Sequence, residues 1–224
     1  MKNSTRNVAI LVVVVAAGYG CLSVIFRSVP VRFRLTMEVM DGDQIRTGSS
    51  VIEVEYPIYP DGLFPGQNTG DRQVTGYAVT VDLGQKGLLF LTFHDGTRSE
   101  AQERKRFRCL LTDIACLPFA AYGTPSRGVD SLFRNQKAAL DELLRQNGPR
   151  EIAFENLPEL VRFLNISDKA TERIVSPFDL SASFGPGVQL NRVALELTTA
   201  PITPEPKTWP GWLKSNKQYA EFGE

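Results

Sequence analysis

Alternating apolar and polar side chains predict two β-hairpins in the first half of the chain. Apolar residues take every odd position of residues 31–39 and polar residues the even ones, which is the period of a strand with one buried face. The alternation resumes at residues 50–56 after an Asp-Gly-Asp turn, so these two segments predict an antiparallel hairpin. A second hairpin is predicted at residues 77–93. Its return strand, residues 88–93, is apolar at nearly every position and is expected to be buried on both faces.

One uninterrupted apolar segment lies near the N-terminus. Residues 8–26 read VAILVVVVAAGYGCLSVIF, without a charge, and such a helix is long enough to cross a hydrocarbon core of about 30 Å. A cleaved signal peptide has a shorter apolar stretch followed by a small-residue cleavage site. A lipoprotein with its lipid on Cys21 would need an aliphatic residue three positions earlier, where Gly18 stands. We therefore predict a retained signal-anchor, with a transmembrane helix at residues 7–27 after a short basic head at residues 1–6.

The rest of the chain contains one strong helical pattern. Apolar side chains recur at steps of three and four residues through residues 130–147, with charged side chains on the opposite face. Residues 179–184 predict a helical turn and residues 188–198 a final strand. The expected fold class is α+β: an N-terminal transmembrane helix followed by a β-rich domain of antiparallel hairpins, covered by one amphipathic helix.

The pattern predicts one domain and a tail. A single α+β domain is expected at residues 28–200, followed by a C-terminal tail at residues 201–224 that contains four prolines, Trp209 and Trp212. An extended segment with two tryptophans usually docks on its own domain.

Basic residues flank the apolar segment on both sides, and a short basic head normally stays in the cytoplasm. We therefore expect a single-pass membrane protein with its C-terminal domain outside the cytoplasm, which in a Gram-negative bacterium means a bacterial inner membrane protein with a periplasmic domain.

Charge and composition exclude some classes of partner. The chain has 25 Lys plus Arg and 25 Asp plus Glu, so no excess of positive charge attracts nucleic acid, and no nucleic-acid partner is expected. One dense basic run could contact an anion or a partner protein, or could be a solvated face: Arg104, Lys105, Arg106 and Arg108.

Candidate catalytic groups are few. His94 is the only histidine and could act as a general base for Cys109 or for a serine, although a histidine in a turn is the simpler interpretation. Cys109 could instead form a disulfide with Cys116. One histidine and two cysteines outside the apolar segment are too few for a structural zinc site. We expect no metal and no cofactor.

Two stretches carry a resemblance to known sequences. They are TGSSVIEV at residues 47–54 and DLSASFGPGVQLNRV at residues 179–193, with Trp-Leu at residues 212–213. Together they resemble a family of uncharacterised, N-terminally membrane-anchored proteins of alphaproteobacteria. The resemblance implies a bacterial, membrane-associated protein and carries over no catalytic or binding residue.

These observations favour a non-enzymatic, single-pass membrane-anchored protein. Its β-rich domain would mediate protein interaction or support a membrane complex, with the membrane contacted through residues 8–26 and a protein partner of unknown identity. The alternative is a membrane-anchored hydrolase or transpeptidase that uses His94 with Cys109 or a serine. A third possibility is a domain that binds a small ligand or lipid between the sheet and the helix.

Overall fold

The computed structural model describes residues 27–58, 73–93, 114–123, 137–215 and 220–221. These residues form ten β-strands and four short helices. In chain order the strands are β1 (Arg27–Asp41), β2 (Gln44–Ile58), β3 (Gln73–Tyr77), β4 (Val79–Asp82), β5 (Leu88–Leu91), β6 (Arg150–Glu151), β7 (Leu160–Phe163), β8 (Glu172–Val175), β9 (Val188–Leu197) and β10 (Ala220–Glu221). The helices are α1 (Leu117–Ala121), α2 (137–143), α3 (Ser181–Phe184) and α4 (Gly211–Lys214).

The strands belong to two sheets in which every pairing is antiparallel. The large sheet has the order β10-β3-β2-β1-β9-β6, and the small sheet has the order β4-β5-β7-β8. Apolar side chains of both sheets share one buried cluster, which includes Phe33 of β1, Ile52 of β2, Leu89 of β5 and Leu160 of β7. The core therefore lies between two sheets.

Both predicted hairpins are present. β1 pairs with β2 from Arg27 opposite Ile58 to Asp41 opposite Gln44, and Gly42 turns the chain with a φ of 63°. The odd positions of β1 face the core and are almost completely buried: Val31, Phe33, Leu35, Met37 and Val39. β4 and β5 form the second hairpin. The apolar return strand is buried on both faces as predicted, because Leu89 and Leu91 enter the shared core while Phe90 enters a second cluster on the outer face.

The small sheet arises because the chain leaves the large sheet at Ala78, between β3 and β4. β4 then passes so close to β2 that a Cβ atom placed on Gly48 would lie 2.0 Å from the carbonyl oxygen of Thr80. Only glycine leaves room for this approach of two backbones.

The predicted α+β class is wrong, because a second sheet takes the place of the covering helix. The described part of the predicted helix is the seven-residue segment α2, of which Leu140 and Leu143 are buried, and residues 130–136 lie outside the described residues. Sequence periodicity missed β7 and β8 because neither strand alternates: three of the four residues of β7 are buried, whereas β8 has one buried residue, Val175. The structure is mostly antiparallel β-sheet with a few short helices.

The predicted transmembrane helix also needs correction. Arg27, the last residue of the predicted span, belongs to β1 and pairs with Ile58. Across the residues that the structure describes, no helix is long and apolar enough to cross a membrane. The signal-anchor and single-pass organisation inferred from that helix are corrected with it, and the apolar residues 8–26 lie outside the described residues.

The C-terminal tail docks on its own domain, as its tryptophans predicted. The Trp209 ring packs edge-on against Tyr77 at a centroid distance of 5.8 Å and against Phe90 at 5.5 Å. The indole Nε1 of Trp212 donates to the backbone oxygen of Ile166 at 3.2 Å. The tail thereby covers the outer face of the small sheet.

The residues that join β9 to this tail, and the first residues of the tail, also hydrogen-bond to the large sheet. The backbone N–H of Thr198 donates to the oxygen of Arg32 in β1. Five residues later the backbone N–H of Thr203 donates to the oxygen of Val51 in β2, and the Thr203 hydroxyl accepts from the Val51 N–H at 2.7 Å. The tail therefore crosses β1 before it reaches the small sheet.

Candidate functional site

Most of the candidate chemistry identified from the sequence lies outside the described residues. This holds for His94, for Cys109 and for the basic run of Arg104, Lys105, Arg106 and Arg108, so their roles stay predictions. Cys116 is described: it is buried before α1 and is disulfide-bonded. Its expected partner, Cys109, is outside the described residues, and the pairing stays a prediction. Within the described ranges, no group of three or more His, Cys, Asp or Glu side chains could hold a metal ion.

Exposed apolar side chains gather at one end of the large sheet. Met40 of β1 pairs with Ile45 of β2 on one side and with Gln189 of β9 on the other. Side chains of directly opposed residues stand on the same face of a sheet, so these three form a row across the outer face. Ile45 is 59% exposed and Met40 is 37% exposed. Two exposed apolar side chains, one on each side of the hairpin turn, therefore lie on the outer face of the large sheet.

A groove of about 300 Å³ continues this row beyond β9. Its floor and walls include Phe154, Phe178, Asp179, Leu180, Gln189 and Leu190. Phe178 is 71% exposed, and its ring meets the ring of Phe154 edge-on at 6.2 Å. The polar residue Gln189 belongs to both the row and the groove, so the groove adjoins the end of the row. We call the surface formed by Met40, Ile45, Phe154, Phe178, Asp179 and Gln189 the hairpin-end patch.

One carboxylate supplies the charge of this patch. Among the described residues that line the groove, Asp179 alone is charged. Its Oδ1 accepts from the Ser181 hydroxyl at 2.6 Å and from the backbone N–H of Ala182 at 3.0 Å. The Ser181 hydrogen bond, followed by the one from Ala182, lowers the pKa of Asp179, because both donors favour the ionised form. Asp179 therefore stays negative at neutral pH.

Two cations on the strands and turns around β1 are paired with acids other than Asp179. Lys86 Nζ lies 2.6 Å from Asp41 Oδ1, and Arg192 Nη1 lies 3.9 Å from Glu38 Oε1. Among the described residues no Lys or Arg forms an ion pair with Asp179. The hairpin-end patch therefore presents apolar surface with an uncompensated negative charge.

A second groove, of about 590 Å³, lies between the large sheet and the residues that follow α2. Its lining includes Arg32, Glu53, Leu144, Gln146, Leu197 and Thr198. Arg32 and Glu53 are opposed in β1 and β2, and the Arg32 Nε donates to Glu53 Oε2 at 2.5 Å. This sheet–helix groove offers paired donors and acceptors beside apolar walls.

Sequence reasoning selected no residue of the hairpin-end patch. The signal at Met40 and Ile45 was present, because both are apolar at positions that the strand alternation assigns to the solvent face. Phe178 follows Pro177 in a loop and joins Phe154 only through the fold. No periodic pattern could have connected these two rings.

The chain matches no protein-family model, no curated protein sequence and no solved structure. The resemblance to uncharacterised alphaproteobacterial proteins therefore stays a prediction. Function has to be argued from the two grooves and their surroundings.

Proposed function

We propose that this chain is a non-catalytic, β-rich domain that works by binding another protein. The observation that supports this proposal is the hairpin-end patch, where exposed apolar side chains adjoin a groove. Contiguous exposed apolar surface with a polar border marks interaction sites on soluble domains. Glu38, held by Arg192 and by the amide of Asn191, provides part of that border.

The energy of such an interface would come mainly from a few side chains. Complete burial of a large apolar side chain contributes roughly 1.5–3 kcal/mol, and Ile45 and Phe178 have most of their surface available for burial. Large anchors that enter a groove dominate many protein interfaces. We therefore expect Ile45 and Phe178 to be the energetic centre of the contact.

The compartment is part of the proposal. Disulfides persist in oxidising compartments such as the bacterial periplasm and are rare in the cytosol. The disulfide at Cys116 supports a domain that meets its partner in such a compartment.

A matched pair of variants tests the proposed function. The double variant Ile45→Ser, Phe178→Ser removes two exposed anchors from the patch, and Leu164→Ser, Ile174→Ser removes two side chains of similar exposure elsewhere. Each full-length variant replaces the native protein in its own cells, and crosslinked partners are measured by quantitative mass spectrometry. We expect the patch variant to lose a specific crosslinked protein by tenfold or more and the control to keep it. Equal crosslinking by both variants would contradict the proposal.

His94→Ala separates this proposal from an enzymatic role. A non-catalytic domain keeps both its crosslinked partner and its cellular function when His94 is replaced. Loss of function with an unchanged partner and unchanged protein level would instead favour a hydrolase or transpeptidase.

The sheet–helix groove supports a second candidate, the binding of a small ligand. It has room for a small molecule, and the Arg32–Glu53 pair could orient a polar group. Native mass spectrometry of the purified full-length protein would show a co-purified molecule that Leu144→Trp, which fills the groove, removes. A protein without added mass in both forms would argue against this candidate.

A further inference from the structure

We propose that the occupant of the hairpin-end patch is a segment of a partner protein in which a Lys or Arg stands next to a large apolar side chain. This inference rests on the proposed function and specifies the chemistry of the partner. It follows from the shape of the groove and from the charge of Asp179.

The volume and lining of the groove indicate which apolar group of the partner it can bind. At about 300 Å³ it is at the lower limit of ligand pockets, so it has room for a side chain and not for a large cofactor. Phe154 and Phe178 provide aromatic surface at its edge. An aliphatic or aromatic side chain is the group that gains most from leaving water at this place.

The negative charge of Asp179 indicates that the partner carries a cation at this place. A partner that covers the groove also removes water from Asp179, and desolvation of an unpaired carboxylate is unfavourable. A cation on the partner offsets this cost through a charge-assisted hydrogen bond. Among the described residues, the donors that contact the Asp179 carboxylate are hydroxyl and backbone N–H groups of Ser181 and Ala182, and none of them is a cation, so the negative charge is left for the partner to pair.

Charge also argues against two other occupants. A second copy of the chain would bring another Asp179 to the same interface, and like charges that face each other across an interface disfavour contact. An anionic lipid surface would face Asp179 with charge of the same sign, which disfavours contact. A basic segment of a different protein is the occupant that the patch complements.

Defined peptides test the inference on the full-length protein. Three capped tetrapeptides, Ac-Lys-Leu-Phe-Lys-amide, Ac-Gln-Leu-Phe-Gln-amide and Ac-Glu-Leu-Phe-Glu-amide, are titrated while backbone amide shifts of residues 40–45 and 177–190 are followed by NMR. We expect the lysine peptide to bind at least about threefold more tightly than the glutamate peptide, as exposed ion pairs allow. The double variant Ile45→Ser, Phe178→Ser should lose binding of all three.

Asp179→Asn isolates the charge from the structure. The side-chain amide oxygen of asparagine accepts hydrogen bonds as Oδ1 of aspartate does, so the variant retains the acceptor for Ser181 and Ala182 while it loses the negative charge. The lysine and glutamate peptides should then bind the variant with about equal affinity, and the affinity for the glutamine peptide should be unchanged. Asp168→Asn is the matched control, because Asp168 Oδ1 likewise accepts a backbone N–H, from Ala170, away from the patch. This control should keep the full preference.

Each other outcome overturns the inference. If peptides bind the patch without a preference for lysine, or if the preference survives Asp179→Asn, the partner is not selected by this charge, although the proposed function stands. If no peptide shifts the patch, the assigned chemistry is wrong, and the crosslinking experiment decides separately whether a protein partner exists. A dimer in sedimentation that the patch variant abolishes would identify a second copy as the occupant. Binding to vesicles of anionic phospholipid that the patch variant abolishes would identify a membrane.

Discussion

At Gly48 the two sheets approach too closely for any side chain. A Cβ atom at this position would lie 2.0 Å from the oxygen and 2.6 Å from the carbonyl carbon of Thr80, and both are backbone atoms that cannot move aside cheaply. We expect Gly48→Ala to lower the free energy of unfolding by about 3 kcal/mol, measured by urea denaturation. Gly211→Ala is the control, because no other atom lies within 4 Å of a Cβ placed there. A Gly48→Ala protein as stable as this control would show that the sheets do not pack in this way.

Ser50 places a hydroxyl in the core. The residue is 2% exposed, and its oxygen has no hydrogen-bond partner in the part of the chain that the structure describes. Because an unpaired buried hydroxyl destabilises the fold, we expect Ser50→Ala to raise the free energy of unfolding by about 1 kcal/mol.

Thr92 provides the contrast. It is equally buried, but its hydroxyl donates to the oxygen of Glu159 at 3.1 Å, so Thr92→Val should lower the free energy of unfolding by about 1 kcal/mol. The same urea titrations decide both predictions. If both substitutions lower the free energy of unfolding, the Ser50 hydroxyl has a hydrogen-bond partner that stabilises the fold.

At the scale of elements, the sequence predicted the long strands better than the short ones. β1, β2 and β9 have clear alternation, because one face of each is buried along most of its length. β8 has only one buried residue, Val175, and therefore leaves no periodic trace. The hairpin of β4 and β5 was predicted, but β7 and β8, which complete the small sheet, were missed, and with them the surface beyond β9. Met40 and Ile45 were visible as exceptions to the pattern, whereas Phe154 and Phe178 meet only after the loops fold.

The contact between Tyr77 of β3 and the tail should stabilise the fold less at alkaline pH. Burial of Tyr77, and then the negative charge of Glu205, raise the pKa of its phenol above the ordinary value of 10.0. In the unfolded chain the phenol ionises from about pH 10, whereas in the folded protein it keeps its proton to higher pH. The stability that this difference in pKa contributes is therefore complete below about pH 10. It is lost as the pH rises from there through the higher pKa of the folded protein.

Tyr77→Phe removes the titrating group from this contact. We expect the melting temperature of the wild type to fall more steeply than that of Tyr77→Phe between about pH 9 and pH 11. Differential scanning calorimetry across this range measures both slopes. Parallel slopes would show that Tyr77 ionises equally easily in the folded and unfolded states.

At the scale of the whole molecule, one shared core predicts one unfolding transition. The chain has two tryptophans, and both lie in the tail against the small sheet, whereas the far-UV circular dichroism signal includes the strands of both sheets. Because residues from both sheets form a single buried cluster, fluorescence and circular dichroism should give the same urea midpoint. An earlier fluorescence transition would mean that the tail and the small sheet unfold as a separate unit.

The position of the docked tail constrains how the domain matures during translation. Residues 201–215 emerge from the ribosome after every strand of the small sheet that they cover. Until then, the rings of Phe90 and Phe163 lack the indoles that pack on them in the finished fold. The nascent chain therefore passes through a period in which this surface is open to chaperones and to other nascent chains, and native packing is completed only when both Trp209 and Trp212 have arrived.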